Sequence, residues 1–267
     1  MYAFNYHRAT STADAAAKLG ANSDAKLLAG GQTLLAAMKL RLANPSDLVD
    51  LAGIADLAGI RKEGNALVIG AMTRHAEVAE SADVRASLPA LARLAGGIGD
   101  RMVRNMGTLG GSIANNDPAA DYPAAVVGLG ATVHTNRRKI DGDAFFTGMY
   151  GTALDAGEIV TAVAFPLAKR AGYAKFPNPA SRYALVGVFV SEGAGGVRVA
   201  VTGAGSCVFR VSAMEKALAT QFTAASLSGI TVASDELNSD MHASAEYRAH
   251  LIGVMAGRAV TDALTAR

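Results

Sequence analysis

The sequence predicts an α+β fold in two domains, one covering residues 1–170 and a smaller α+β domain covering residues 171–267. Strand and helix signals alternate along the first part of the chain. Residues 166–172 carry Pro, Lys, Arg and Gly directly after a predicted strand, and the pattern changes beyond them. Because 267 residues fit one large domain or two modest ones, the boundary rests on this change of pattern.

The elements of the first domain are predicted from short apolar runs separated by capping and turn residues. Gly20 ends an Ala-rich helix, and Asn44-Pro45 closes the next one. Thr73 and Asp121 are the expected N-caps of two later helices. We expect helices at 11–19, 34–42, 73–80, 88–95 and 122–129, and strands at 26–29, 48–51, 66–71, 131–135 and 159–165.

The second domain is predicted from two strands followed by helices. The strands cover 183–190 and 197–202, and the Gly-rich stretch 191–196 joins them. A short helix is expected at 212–218. A long one is expected at 245–264, where Tyr247, Leu251 and Met255 recur at helical spacing.

Composition and charge exclude several classes of protein. The net charge is +2 and the charges are mixed along the chain, so no nucleic-acid partner is expected. Cys207 is the only cysteine, so this chain cannot hold an iron–sulfur cluster on four thiolates, and we interpret Cys207 as a packing residue. The most apolar stretch, 124–133, is shorter than a membrane span, and no secretory signal is read at the N-terminus. We expect a cytoplasmic protein.

Two glycine segments, 27–33 and 107–112, carry paired glycines followed closely by a hydroxyl residue, Thr33 or Ser112. Paired glycines let backbone amides surround an anion, so two such segments favour a ligand with two phosphates. Ordinary turns remain an alternative for each segment, since neither completes the dinucleotide-binding or P-loop pattern. The first segment opens onto a predicted helix, which favours an anion site; the Thr33 hydroxyl would cap that helix or bind a phosphate.

The segment after the second glycine pair is rich in short polar residues, among them Asn115, Asp117 and Asp121. The two aspartates could form a general acid/base pair, but they are better explained as holding the loop, capping a helix or bonding ligand hydroxyls. The five histidines show no metal-binding spacing and are interpreted as surface or helix-end residues. No serine-hydrolase elbow occurs. With no self-sufficient catalytic set, chemistry would have to come from a cofactor.

Several segments occur together in order: 29–35, 38–42, 98–100, 103–105, 107–112 and 117–121. As a set they resemble the FAD-binding medium subunit of the molybdenum hydroxylases, the carbon monoxide dehydrogenase and xanthine dehydrogenase family. The resemblance continues through 183–187 and 244–248 and covers essentially the whole chain. It implies an FAD domain of the vanillyl-alcohol-oxidase type with two α+β subdomains, followed by a flavoprotein C-terminal domain.

The resemblance also implies a division of labour in the complex. A large subunit would carry the molybdenum cofactor, and a small subunit two [2Fe–2S] clusters. The medium subunit would bind FAD and pass electrons from the clusters to an external acceptor, in a dimer of heterotrimers. No histidine lies in the glycine segments, so FAD would be bound non-covalently. The cysteine count argues against the benzoyl-CoA-reductase branch, whose flavin subunit carries an extra four-cysteine cluster.

The residues implied to hold FAD fall into a pyrophosphate cradle, a polar loop and contacts to the ring system. Lys175 would be a basic contact, and Tyr183 an aromatic contact to the isoalloxazine. The full set is Lys26, Leu27, Leu28, Ala29, Gly30, Gly31, Gln32, Thr33, Ile98, Thr108, Gly110, Gly111, Ser112, Asn115, Asp117, Asp121, Ile159, Val160, Lys175 and Tyr183. No metal ligand and no catalytic side chain is predicted on this chain.

Two other functions stay open on the sequence. One is a stand-alone FAD-dependent oxidoreductase, disfavoured because no catalytic acids and bases accompany the flavin motifs. The other is a scaffold subunit that has lost FAD, disfavoured by the intact glycine segments. The substrate of the complex would be chosen in the large subunit.

Overall fold

A computed structural model describes residues 1–265, and its N-terminal part is a small parallel sheet. The strands β1 (Asn5–Arg8), β2 (Lys26–Leu28) and β3 (Asp47–Asp50) lie in the order β1-β3-β2. Parallel neighbours need crossover connections, which are supplied by the helices α1 (Thr12–Gly20) and α2 (Leu34–Lys39). Ser11 caps α1 by accepting a hydrogen bond from the amide of Asp14.

The second unit is a five-stranded antiparallel sheet in the order β4-β5-β10-β6-β7, accompanied by helices. Its apolar residues form the largest core, in which Tyr122, Phe145 and Phe165 are fully buried. The strands are β4 (Ile60–Glu63), β5 (Ala66–Gly70), β6 (Thr132–Thr135), β7 (Lys139–Asp141) and β10 (Val160–Pro166), with a separate pair β8 (Phe146–Gly148) and β9 (Gly151–Thr152). The helices are α3 (His75–Glu80), α4 (Ala82–Ser87), α5 (Pro89–Gly96), α6 (Arg101–Met106), α7 (Leu109–Asn115), α8 (Tyr122–Gly128) and α9 (Gly142–Phe145).

The C-terminal unit is a four-stranded antiparallel sheet packed between two layers of helix. Its strands are β11 (Arg170–Pro177), β12 (Ala184–Gly193), β13 (Gly196–Thr202) and β14 (Phe209–Arg210), in sequential order. Its helices are α10 (Ser212–Thr220) and α11 (Ala245–Thr265). Side chains of β12 alternate: Val188 and Val190 join the core under α11, whereas Phe189 joins the core of the preceding unit. The sheet is therefore buried on both faces.

The α+β class predicted from the sequence is confirmed, but several local predictions are wrong. The helix expected at 34–42 ends at Lys39. Thr73 does not cap a helix, because its hydroxyl exchanges hydrogen bonds with the backbone of Gly59. The second glycine segment is not a loop: Thr108 caps α7, and Gly110 and Gly111 lie in its first turn.

No helix among residues 1–265 combines the length and the apolar character needed to cross a membrane.

The packing of α11 on β11 requires a glycine at position 172. A Cβ there would lie 2.0 Å from the carbonyl oxygen of Ala259, a backbone atom that cannot swing away. We expect Gly172→Ala to lower the free energy of unfolding by about 2 kcal/mol or more. Gly253→Ala, in the open interior of α11, is the matched control and should raise it by about 0.5–1 kcal/mol. Urea unfolding followed by circular dichroism measures both, and equal changes would contradict this account.

Candidate functional site

A cleft of about 640 Å³ lies where the N-terminal sheet, the helices α6 and α7 and the turn before β12 come together. Its volume is within the range of cofactor sites. Every predicted site residue lines it except Leu28 and Lys175. The Leu28 side chain instead packs beside Gly31, where an added Cβ would lie 3.3 Å from the Leu28 Cδ1 atom. The cleft is also lined by residues that were not predicted: Leu34, Leu51, Ala71, Met72, His75, Gly99, Val103, Gly107, Ala114, Ala120, Tyr150, Ser181 and Arg182.

The first glycine segment presents free backbone amides to this cleft. Within residues 1–265, no protein acceptor takes the amides of Gly30, Gly31, Gln32 or Thr33. Gly31 has a φ of +71°, a left-handed conformation that glycine adopts without strain and that turns the chain into α2. The Thr33 hydroxyl makes no capping bond to α2, so of its two predicted roles only ligand binding is left open. This segment is suited to hold an anion.

The second segment differs, because all but one of its amides are already donated within the protein. Leu109 donates to the Thr73 carbonyl at 3.0 Å and Gly110 to the Ala71 carbonyl at 2.8 Å. Gly111 donates to the Thr108 hydroxyl at 3.1 Å, and Ser112 to the Thr108 carbonyl. The hypothesis of two similar amide-rich loops is therefore wrong for this segment. This segment instead contributes hydroxyl groups to the cleft lining, among them that of Ser112.

The glycines of both segments allow backbones to approach each other closely. A Cβ on Gly30 would lie 2.1 Å from the carbonyl oxygen of Met106, and one on Gly110 would lie 2.5 Å from the Cβ of Ala71. A Cβ on Gly107 would lie 2.6 Å from Nε2 of His75. The two segments therefore form one continuous wall of the cleft, with side-chain volume removed at each crossing.

His75 is a buried member of this wall. Of the two positions that the sequence suggested, surface or helix end, it occupies the helix end. It is the first residue of α3 and is 5% exposed. Its ring lies 5.3 Å from that of Tyr122, centroid to centroid, and neither its Nδ1 nor the Tyr122 hydroxyl has a hydrogen-bond partner among the described residues. Burial, helped by the positive charge of Arg104, lowers the pKa of His75 to about 4, so the imidazole is neutral at pH 7.

Asp121, which lines the cleft, forms a buried ion pair with Lys175, which lies behind it. The Lys175 Nζ lies 2.9 Å from Oδ1 of Asp121 and donates to the carbonyl of Gly97 at 2.9 Å. Asp121 also accepts the hydroxyl of Tyr173 at 2.5 Å. Burial raises the pKa of Asp121, and Lys175 opposes that rise.

This pairing corrects two sequence-based expectations. Asp121 stands at the N-cap position of α8, yet its side chain makes no capping bond. Lys175 is held by Asp121 and Gly97 and does not line the cleft, so it is placed to support the site rather than to contact a ligand.

Asp117 and Tyr150 fix the polar side of the cleft. Asp117 accepts the amide of Ala119 at 2.9 Å and the hydroxyl of Tyr150 at 3.3 Å. Tyr150 has a φ of +54°, and the buried Asn116 holds its turn by donating to the carbonyls of Gly148 and Gly151. Asp117 therefore holds loop geometry, which was one of its predicted roles. Sequence reasoning missed Tyr150, because only the folded chain brings this turn to the cleft.

The ring-binding candidates form the apolar part of the cleft. Ile98, Ile159 and Val160 line it together with Tyr183, which is 45% exposed. Among residues 1–265, no group of three or more His, Cys, Asp or Glu side chains is placed to hold a metal ion. The geometry thus combines free amides and hydroxyls at one end with apolar walls at the other.

Comparison with known proteins gives a consistent result over the whole chain. The family described as FAD binding domain in molybdopterin dehydrogenase matches residues 2–168. The carbon monoxide dehydrogenase medium chain of Hydrogenophaga pseudoflava is 36% identical, over 97% of this chain and 96% of its own length. The nicotine 6-hydroxylase medium subunit of Paenarthrobacter nicotinovorans is 34% identical, over 98% and 97%. The structure of quinoline 2-oxidoreductase from Pseudomonas putida 86 superimposes with a TM-score of 0.88 at 28% identity, over 98% of this chain and 97% of that one.

Removing Lys175 should be costly, because it leaves the Asp121 carboxylate buried without its counter-ion. We expect Lys175→Met to lower the free energy of unfolding by about 3–5 kcal/mol. Lys169→Met, which removes an exposed partner of Glu192, is the matched control and should cost at most about 1 kcal/mol. Urea unfolding at pH 7 compares the two. Similar losses would show that the Asp121 pair is no more important than a surface one.

The low pKa of His75 makes stability depend on pH. Between pH 6.5 and 4 the unfolded chain takes up a proton at this site and the folded chain does not, so the free energy of unfolding falls as the pH falls. The total loss from this residue is about 3 kcal/mol. His75→Gln should flatten the profile in this window, whereas His242→Gln, at an exposed site, should leave it unchanged. An unaltered slope in His75→Gln would refute the assignment.

Proposed function

Because this chain belongs to the family of FAD-binding medium subunits of molybdenum hydroxylases, we propose that it binds FAD in the cleft and relays electrons between partner subunits and an external acceptor. The observation that carries the proposal is the row of free amides at residues 30–33, which open into the cleft without a protein acceptor. Backbone amides in such a row bind the negative oxygens of a pyrophosphate. Lys26, which also lines the cleft, adds positive charge.

The remaining cleft residues fit the other parts of FAD. The hydroxyls of Thr33 and Ser112 are suited to donate hydrogen bonds to the phosphates. The side chains of Asn115 and Asp117 are suited to bind the sugar-like hydroxyls. A flat ring system fits the apolar surface formed by Ile98, Ile159, Val160 and Tyr183. Lys175 supports this surface from behind, since it donates to the carbonyl of Gly97, next to Ile98, while its partner Asp121 lines the cleft.

Bound FAD would supply the redox chemistry, accepting electrons from the [2Fe–2S] clusters of a small subunit and passing them to an outside acceptor. The chain's own residues bind and orient the cofactor. No histidine or cysteine lies in the glycine segments, which supports non-covalent binding. The relatives named medium chain or medium subunit support assembly with a large and a small subunit. We propose further that these carry the molybdenum cofactor and the iron–sulfur clusters, and that the complex is a dimer of heterotrimers.

The proposal extends to domain organisation and location. We place the end of the FAD-binding domain near residue 170, between β10 and β11, which agrees with the family match over residues 2–168. The complex is proposed to work in the cytoplasm. Fractionation of cells that express the tagged complex tests the location, and limited proteolysis of the chain tests the boundary.

The direct test is to purify the complex formed with the two partner subunits and to measure flavin and its reduction. We expect one FAD per medium subunit, released intact by acid, and bleaching of the flavin absorbance when the holoenzyme receives its substrate. An intact complex without flavin would overturn FAD binding. Flavin that is present but not reduced in an active enzyme would overturn the electron relay.

Substitutions that preserve the fold test the cleft itself. Thr33→Val and Ser112→Ala each remove a hydroxyl that has no hydrogen-bond partner in the described chain. Each should weaken FAD binding about two- to twelvefold, the equivalent of about 0.5–1.5 kcal/mol for one hydrogen bond. Ser228→Ala, an exposed site outside the cleft, is the control. Titration of the apoprotein with FAD measures the affinity of all three variants. Unchanged affinity in both cleft variants would show that FAD binds elsewhere.

A further inference from the structure

A second cavity, of about 480 Å³, lies next to the cleft and is lined by four arginines: Arg85, Arg93, Arg101 and Arg104. We call it the arginine groove. The helix α6 separates the two sites, because its Val103 lines the cleft while Arg101 and Arg104 line the groove. Glu80 is the single carboxylate of the lining, and the rest is Ala76, Ala79, Pro89, Ala92 and Gly96. The groove thus carries a positive excess over a floor of small residues.

Three of these arginines lack a carboxylate partner. Some arginines elsewhere in the chain pair with acids, as Arg138 does with Glu158 and Arg210 with Glu215. Within residues 1–265, Arg85, Arg101 and Arg104 form no ion pair, and only Arg93 does, with Asp262 at 2.7 Å. Like charges in one groove repel each other, and this repulsion destabilises the folded chain. An anion bound among the arginines would offset that repulsion.

Two of the guanidinium groups are held in place by backbone carbonyls. Arg85 donates through Nε to the carbonyl of Ala79 at 2.9 Å. Arg104 donates through one terminal nitrogen to the carbonyls of Ile98 at 3.0 Å and Gly99 at 2.9 Å. Their other N–H groups have no acceptor in the described chain, and a guanidinium carries five. Fixed, unsaturated forks of this kind match the paired oxygens of a phosphate.

We propose that the arginine groove binds a multivalent phosphate, such as pyrophosphate or the phosphate chain of a nucleotide, at a site distinct from the flavin cleft. The lining contains no aromatic side chain that could stack on a base, so the phosphate chain itself is the recognised group. Arg104 connects the two sites, because the carbonyls that it holds belong to Ile98 and Gly99 of the cleft wall.

The experiment is calorimetric titration of the full chain, saturated with FAD, with pyrophosphate and with ADP at low salt. We expect one saturable site of similar affinity for both, weakened by added salt. Arg101→Gln and Arg85→Gln should each weaken pyrophosphate binding about tenfold, the loss of a charge-assisted hydrogen bond. Glu80→Gln should tighten it about threefold, a gain that misfolding cannot produce. Arg137→Gln, an exposed arginine outside the groove, is the control and should change nothing.

Three results would overturn the proposal. The first is the absence of saturable pyrophosphate binding. The second is equal weakening in Arg137→Gln and the groove variants, which would show only a general charge effect. The third is a decaglutamate peptide that binds at least tenfold more tightly than pyrophosphate and loses affinity in Arg101→Gln, which would assign the groove to an acidic protein segment. ADP that binds at least tenfold more tightly than pyrophosphate would refute recognition by phosphate alone.

Discussion

The architecture depends on one buried ion pair, between Asp121 before α8 and Lys175 on β11. It joins three parts of the chain that are distant in sequence, because Lys175 also holds the carbonyl of Gly97 and Asp121 also accepts the hydroxyl of Tyr173. Transferring two charges from water to the interior costs more free energy than the attraction within most such pairs recovers. Apolar residues of similar size would fill the space at a lower cost in free energy, so the ion pair contributes by fixing geometry. It fixes where the C-terminal sheet lies relative to the wall of the cleft.

The division of polar and apolar surface inside the cleft follows from which backbone amides already have a hydrogen-bond acceptor. Within residues 1–265 the amides of residues 30–33 have no protein acceptor, while most amides of the second segment are donated within α7 and to its neighbours. The neutral His75 keeps positive charge away from the middle of the wall. The site thus presents free hydrogen-bond donors at one edge and a mostly uncharged surface beside it. This arrangement suits a cofactor with a charged tail and a flat, weakly polar head.

Local signals were sufficient for the fold class and for most of the cleft, and within residues 1–265 they predicted seven of the eleven helices and seven of the fourteen strands. Apolar runs are readable because they act within a few residues, and the paired glycines marked the right segments. The stop signals were less exact, since α1 includes Gly20 and α2 ends at Lys39, before Asn44-Pro45. The physical role of those glycines could not be predicted from the sequence. The missing Cβ of Gly110 matters because Ala71 lies across from it, and its amide is unavailable for the same reason. The burial of His75, the partner of Lys175 and the turn at Tyr150 likewise depend on contacts between distant segments.

The close approach of Gly30 to the carbonyl of Met106 has a consequence for how the chain is made. The first glycine segment is synthesised early, but it cannot make its contact with Met106 until α6 has been translated and folded. Closing such a long loop before its contacts form is slow. The cleft is therefore completed only after the chain that lines it, from Lys26 to Tyr183, has been made. A ligand that binds only the completed state pulls folding toward it by mass action. Flavin supply during synthesis should thus influence how much of this protein a cell accumulates.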